Sequence, residues 1–78
     1  MRIAESALKH GITPEQIRQG LQVPMSVVTQ QHRAPSKELV IGADRSGQLL
    51  ELVVVDRDGD DPRVIHAMRL RPKFYRYL

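Results

Sequence analysis

From Met25 to Leu70 the apolar positions fall in short β-branched runs, separated by polar breaks that carry Gly or Pro. Val27-Val28-Thr29 marks a strand over 25–30, and Leu39-Val40-Ile41 opens a second that ends at Gly42. Leu49 to Val55 is apolar on both faces, which predicts a central strand. Val64 to Leu70 makes a fourth. Ala34-Pro35-Ser36, Asp44-Arg45-Ser46-Gly47 and Asp56 to Pro62 have the composition of turns. Before Pro24 the period lengthens to that of a helix. Ile3, Ala7 and Leu8 predict a short helix over 3–10, with Lys9 and His10 in its last turn and Gly11 after it. Thr13 is an N-cap, Pro14 takes the first helical position, and Gln16 completes a capping box. Ile12 and Ile17 have the spacing of a hydrophobic staple, and Leu21 continues the face of Ile17. Gly20 weakens the end of this helix and Pro24 closes it. The expected fold is α+β in one domain over 1–78. A helical hairpin (3–22) packs on one face of a four-stranded antiparallel sheet (25–70), followed by a tail (71–78).

A chain of 78 residues holds one core, and here Val, Leu and Ile supply it because aromatics are scarce. Such a core is marginal, so a homodimer or a stabilising partner is expected. The absence of cysteine excludes disulfides and thiolate metal sites, and fits a reducing compartment. No apolar run approaches the roughly 18–20 residues that span a bilayer, and the N-terminus has no signal-peptide pattern. The expectation is a cytoplasmic protein without a membrane partner. Charge is unevenly spread. Residues 44–61 carry six acids against Arg45 and Arg57, a balance of −4. Residues 63–78 carry Arg63, Arg69, Arg71, Lys73 and Arg76 and no acid, a balance of +5, and they hold all three aromatic rings. Cations neutralise phosphates and rings stack on unpaired bases, so this segment suits single-stranded nucleic acid. It equally suits a solvated tail whose rings plug onto the core.

The three histidines, His10, His32 and His66, have no helical ligand spacing, and no metal or other cofactor is expected. No Gly-rich phosphate loop or nucleophile elbow is present. His66 lies inside the last predicted strand, where alternation puts Val64, His66 and Met68 on one face and Ile65, Ala67 and Arg69 on the other. Surrounding arginines would hold its imidazole neutral, and a neutral imidazole is a general base for a ribose 2′-OH. A structural histidine at the sheet surface is the plain alternative. Arg69, Arg71, Lys73 and Arg76 either clamp phosphate or keep a sheet edge soluble. Tyr75 and Tyr77 share one side of an extended segment, to stack a base or to plug the core. Glu51, alone among apolar residues of the central strand, must pair with an arginine of the last strand or belong to a site. Asp58, Asp60 and Asp61 lack the later Glu of a calcium loop and read as a solvated turn.

The order of parts resembles a known family. Lys9-His10-Gly11-Ile12 with Thr13-Pro14-Glu15-Gln16-Ile17 is similar to the Lys-His-Gly-Val, Ser-x-Glu-x-Ala stretch of BrnT-type toxins, a branch of the RelE/ParE-like superfamily of bacteria. Glu38 to Gly42 followed by Gly47 to Val54 looks like its strand pair. Val64-Ile65-His66-Ala67-Met68, with Arg76 and Tyr77 behind, looks like its Ile-Ile-Ser-Ala-Arg strand and Glu-Arg-x-x-Tyr tail. The resemblance covers about residues 6–77. It implies a RelE-like fold, RNA cleavage without a metal, and silencing by a small antitoxin encoded alongside. By position it implies roles for Lys9, His10 and Glu38. The chain departs from the family in two places. His66 stands where the family has Ser and Met68 where it has its strand Arg, although Arg69 and Arg71 lie close by. The family's opening strand is also missing from the pattern.

The reading taken from these features is a toxin-like ribonuclease acting by 2′-OH attack. His66 is its acid or base, with Arg69, Lys9, His10 and Glu38 in the site. Arg63, Arg71, Lys73, Tyr75, Arg76 and Tyr77 contact RNA. Its alternative is a non-catalytic module of the same shape that binds nucleic acid or an acidic protein. A small dimer whose strand edge pairs with itself is a third.

Overall fold

A computed structural model describes all residues, 1–78. The chain is α+β, with one α-helix on a five-stranded mixed sheet. The strands are β1 (Arg2–Ile3), β2 (Pro24–Gln31), β3 (Lys37–Ala43), β4 (Leu49–Val55) and β5 (Arg63–Arg69). The helix, α1, spans Pro14–Gln22. In the sheet the order is β1-β5-β4-β3-β2. The four longer strands form the expected antiparallel meander, with β4 at its centre, and β1 adds a short parallel edge to β5.

α1 begins as its residues predict. Thr13 Oγ1 accepts from the Gln16 N–H at 3.1 Å, and Gln16 Oε1 accepts from the Thr13 N–H at 2.9 Å. The helix expected over 3–10 is not formed. Arg2 and Ile3 pair with Arg63 and Val64 as strand, and a single 3-10 turn follows over Glu5–Leu8. So short a segment, with no capping side chain, cannot repay helix nucleation, whereas the open edge of β5 offers hydrogen bonds at once. The chain therefore does begin with a strand, contrary to expectation.

The helix-side core joins Ala7, Ile12, Ile17, Val40, Leu50, Leu52, Val54, Val64 and Ala67. α1 reaches the sheet at a glycine pair: a Cβ on Gly42 would lie 1.9 Å from the Gly20 carbonyl oxygen. Gly20 is therefore a point of backbone contact as well as a weak helix residue.

β5 corrects the expected alternation. Val54 faces Val64 while Val53 faces His66, so Ile65 is an extra residue in a bulge. Val64 and Ala67 consequently share the helix-side core, and His66 turns to the opposite face with Glu51 and Val53. Beyond β5 the tail is a 3-10 helix, Pro72–Tyr77, rather than an extended segment. With three residues per turn, Phe74 and Tyr77 eclipse and stack at 6.3 Å, while Tyr75 points elsewhere. No helix is long and apolar enough to cross a membrane.

Candidate functional site

On the face away from α1, the middle of β4 places Glu51 under the end of the chain. Its side chain has no exposure to solvent, yet every lone-pair direction in use has a donor. The Arg71 N–H donates to Oε2 at 2.9 Å. Arg71 Nε and Nη2 donate to Oε1 at 3.0 and 2.6 Å. His66 Nε2 lies 2.9 Å from the same Oε1. Burial pushes this carboxyl up. The bonds from Arg71 and His66, with the guanidinium charge behind them, outweigh burial and hold it below the ordinary carboxylate range. The Arg71 guanidinium is raised in turn by its bond to Glu51. Glu51 thus has the expected arginine partner, but that partner follows the last strand instead of lying in it.

Since an ionised carboxylate only accepts, Nε2 of His66 carries the hydrogen and Nδ1 is its open nitrogen. The ring of guanidiniums expected around His66 is absent. Arg71 alone shares its hollow, and it is turned onto Glu51. This hollow, of about 260 Å³, is lined by Gln30, Lys37, Leu39, Glu51, Val53, Ile65, His66, Arg71 and Phe74. Its size is below the roughly 300–1,000 Å³ of pockets for drug-sized ligands.

Of the other expected catalytic residues, His10 is brought in. Gly11, at φ +81°, turns the chain after the 3-10 segment, and the His10 ring meets the His66 ring edge-on at 5.6 Å. Arg69 faces Leu50 across the strands, on the helix side, and lines a separate hollow with His10. Glu38 is not in the site. It is one pleat away from Leu39, and Arg57 holds its carboxylate through Nε and Nη2, both at 2.9 Å. Lys9 is exposed and makes no hydrogen bond or ion pair through its side chain.

Among the expected RNA contacts, Arg63 is engaged by Asp61, through a 3.0 Å bond to its carbonyl and a 3.6 Å ion pair. Lys73 lies over the Phe74 ring at 4.9 Å, Arg71 at 5.6 Å, and Arg76 over Tyr77 at 5.0 Å. The tail is thus a ladder of cations on rings, with Tyr75 outside it. Asp61 also pairs with Arg2 at 2.7 Å, and Asp56 accepts from the Asp61 N–H, so the acidic turn is held together by its own chain.

Lys37 was missed. The pattern opens β3 at Leu39, but alternation two residues further back places Lys37 on the face of Leu39, in the hollow. Comparison with known proteins returns no match: no family model fits the chain, and no curated protein or solved structure is significantly similar to it.

Proposed function

We propose that this chain acts on single-stranded RNA as a toxin-like ribonuclease, restrained in its cell by a small antitoxin protein. One observation carries the reading. Buried Glu51, paired with Arg71, holds one nitrogen of His66 and leaves the other without a partner, in a ring that meets the His10 imidazole and shares its hollow with Lys37. A carboxylate that orients an imidazole makes it a positioned base. On this reading His66 Nδ1 takes the proton of a ribose 2′-OH as its oxygen attacks the adjacent phosphorus. The P–O5′ bond breaks, and protonated His10 gives a proton to the departing O5′. Lys37 balances the charge that grows on the phosphorane, and the cation-covered rings of the tail take the flanking strand. The products are a 2′,3′-cyclic phosphate and a 5′-hydroxyl.

The test is cleavage of an end-labelled single-stranded RNA in EDTA by wild type, His66→Ala and His10→Ala, purified in parallel. The expected result is cleavage leaving a cyclic phosphate, reduced at least about 100-fold in either variant. The inward turn of Arg71, which leaves Lys37 as the open cation of the hollow, favours a second reading: binding without cleavage. Intact RNA retained in a salt-dependent manner by clean wild-type protein would establish that one instead.

A further inference from the structure

Two surface hollows adjoin where β4 begins and β5 ends, and both are lined by Gln48 and Arg69. One, of about 350 Å³, contains His10. The other, of about 340 Å³, is bounded by Leu49, Leu70, Tyr75 and Leu78. The shared residues have no other employment. Arg69 has no carboxylate within ion-pairing distance (its neighbours on β4 are apolar) and it is exposed. Gln48 is mounted rigidly: its N–H donates to Asp44 Oδ1 at 3.0 Å and its carbonyl accepts from the Asp44 N–H at 3.0 Å. Its side-chain amide makes no hydrogen bond within the protein. Tyr75 is the one aromatic ring of the tail without a cation over it, and it is 53% exposed.

We infer that Tyr75, Gln48 and Arg69 form a nucleotide subsite, taking the residue of RNA next to the bond held between His66 and His10. Tyr75 offers a free ring face to the base, backed by the apolar Leu49, Leu70 and Leu78. A base stacked on such a ring is sequence-tolerant. Selection comes from Gln48, whose amide presents a donor and an acceptor to one base edge. Arg69, in reach of both hollows, supplies the fork for the phosphate that joins this nucleotide to the reacting one. The inference rests on the RNA-directed reading, and it deepens that reading by separating the residues that choose a nucleotide from those that break the bond. An apolar protein segment is the other occupant a ring and three leucines would take, but it has no use for an unpaired guanidinium and a free amide.

The test is an NMR titration of the intact chain with each of the four 5′-ribonucleoside monophosphates. The expected response is at the Gln48 side-chain amide, the Arg69 Nε–H and the Tyr75 ring, with unequal affinities for the four bases. Tyr75→Ala should weaken binding about fivefold or more, the lower end for a lost base–ring stack. Gln48→Ala should level the four affinities. Both side chains lie at the surface, and retained amide dispersion verifies that the variants are folded. No response, or one confined to the hollow of His66 and Lys37, overturns the subsite. Cleavage of RNA by a protein that shows no response at Tyr75 and Gln48 removes the subsite and leaves the ribonuclease. Nucleotide binding at these residues without cleavage does the reverse.

Discussion

Glu51 shows how a buried charge is tolerated. Its side chain is closed off from solvent, and four hydrogen bonds from Arg71 and His66 replace what hydration would supply. Two of those bonds come from one guanidinium in fork geometry, which a lysine could not reproduce. Removing the charge should cost about 2–3 kcal/mol, less than the roughly 3–5 kcal/mol of a fully buried pair, because the half-exposed guanidinium left behind rehydrates. The pH dependence has a definite sign. The folded carboxyl titrates below its ordinary value, so its stabilisation is complete above a pH of about 4.3 and is lost as the pH falls through the folded value. Urea unfolding of wild type and Glu51→Gln should therefore differ at neutral pH and converge in acid. A gap that stays constant across that range would mean that the carboxylate charge contributes nothing. In the proposed reaction the same substitution frees the His66 ring, so it should also reduce RNA cleavage without touching substrate.

At the scale of elements, two contacts decide how the layers meet. α1 touches β3 backbone to backbone, which only glycine permits at position 42. Gly42→Ala must lift the helix, because its Cβ meets a carbonyl oxygen rather than a flexible side chain, and should cost about 3 kcal/mol. Gly20→Ala is the informative control. Its Cβ lies 3.1 Å from the end of Leu52, which can yield, and Ala is a better helix former by about 1 kcal/mol, so the two effects nearly cancel. Thermal unfolding of the two variants should separate them clearly. Equal losses would show that helix packing there is plastic. The second contact is the tie between Ser6 Oγ and the Ile65 carbonyl at 2.6 Å, where a side chain satisfies the bulge of β5 beyond the end of β1. That bulge is what carries His66 to the face of Glu51.

Across the whole molecule, the two charged halves of the sequence are treated differently. Several acids of residues 44–61 are consumed internally, Asp44 by its own turn and Gln16, Glu51 by Arg71, and Asp61 by Arg2 and Arg63. Lys37, Arg69, Lys73 and Arg76 have no carboxylate partner and remain available to a polyanion. If the tail follows the strand of RNA, Lys73→Gln with Arg76→Gln should reduce the slope of log affinity against log salt by about 1.4, the share of two phosphates on a single strand. Fluorescence anisotropy over about 50 to 200 mM salt measures this. An unchanged slope would place the RNA elsewhere. On the far side of the sheet, β2 is an edge strand with Met25 and Val27 exposed; it starts at Pro24 and is interrupted by two register shifts. Bulges and proline discourage strand addition at an edge, which leaves the expected homodimer a proposal for light scattering to decide.

Much of this architecture was legible along the chain. Runs of Val, Leu and Ile bounded by turn residues identified the four long strands, and Thr13, Pro14 and Gln16 identified α1, because strand pattern and helix capping are local properties. The pairing of Glu51 with an arginine was legible too, since a charge in an apolar strand demands a partner. The rest depends on contacts between distant residues. β1 exists because β5 has an open edge, which no neighbour of Ile3 reveals. A one-residue bulge put His66 on the face opposite Val64, which it was expected to share, and period-two reasoning has no means to see an inserted residue. The meeting of His10 with His66, the diversion of Glu38 to Arg57 and the entry of Lys37 into the hollow follow from that same sheet register. Sequence alone determined the four long strands and α1; the tertiary structure decided the form of both chain ends and which side chains share a face, because edge pairing, register and close approach are set across the fold.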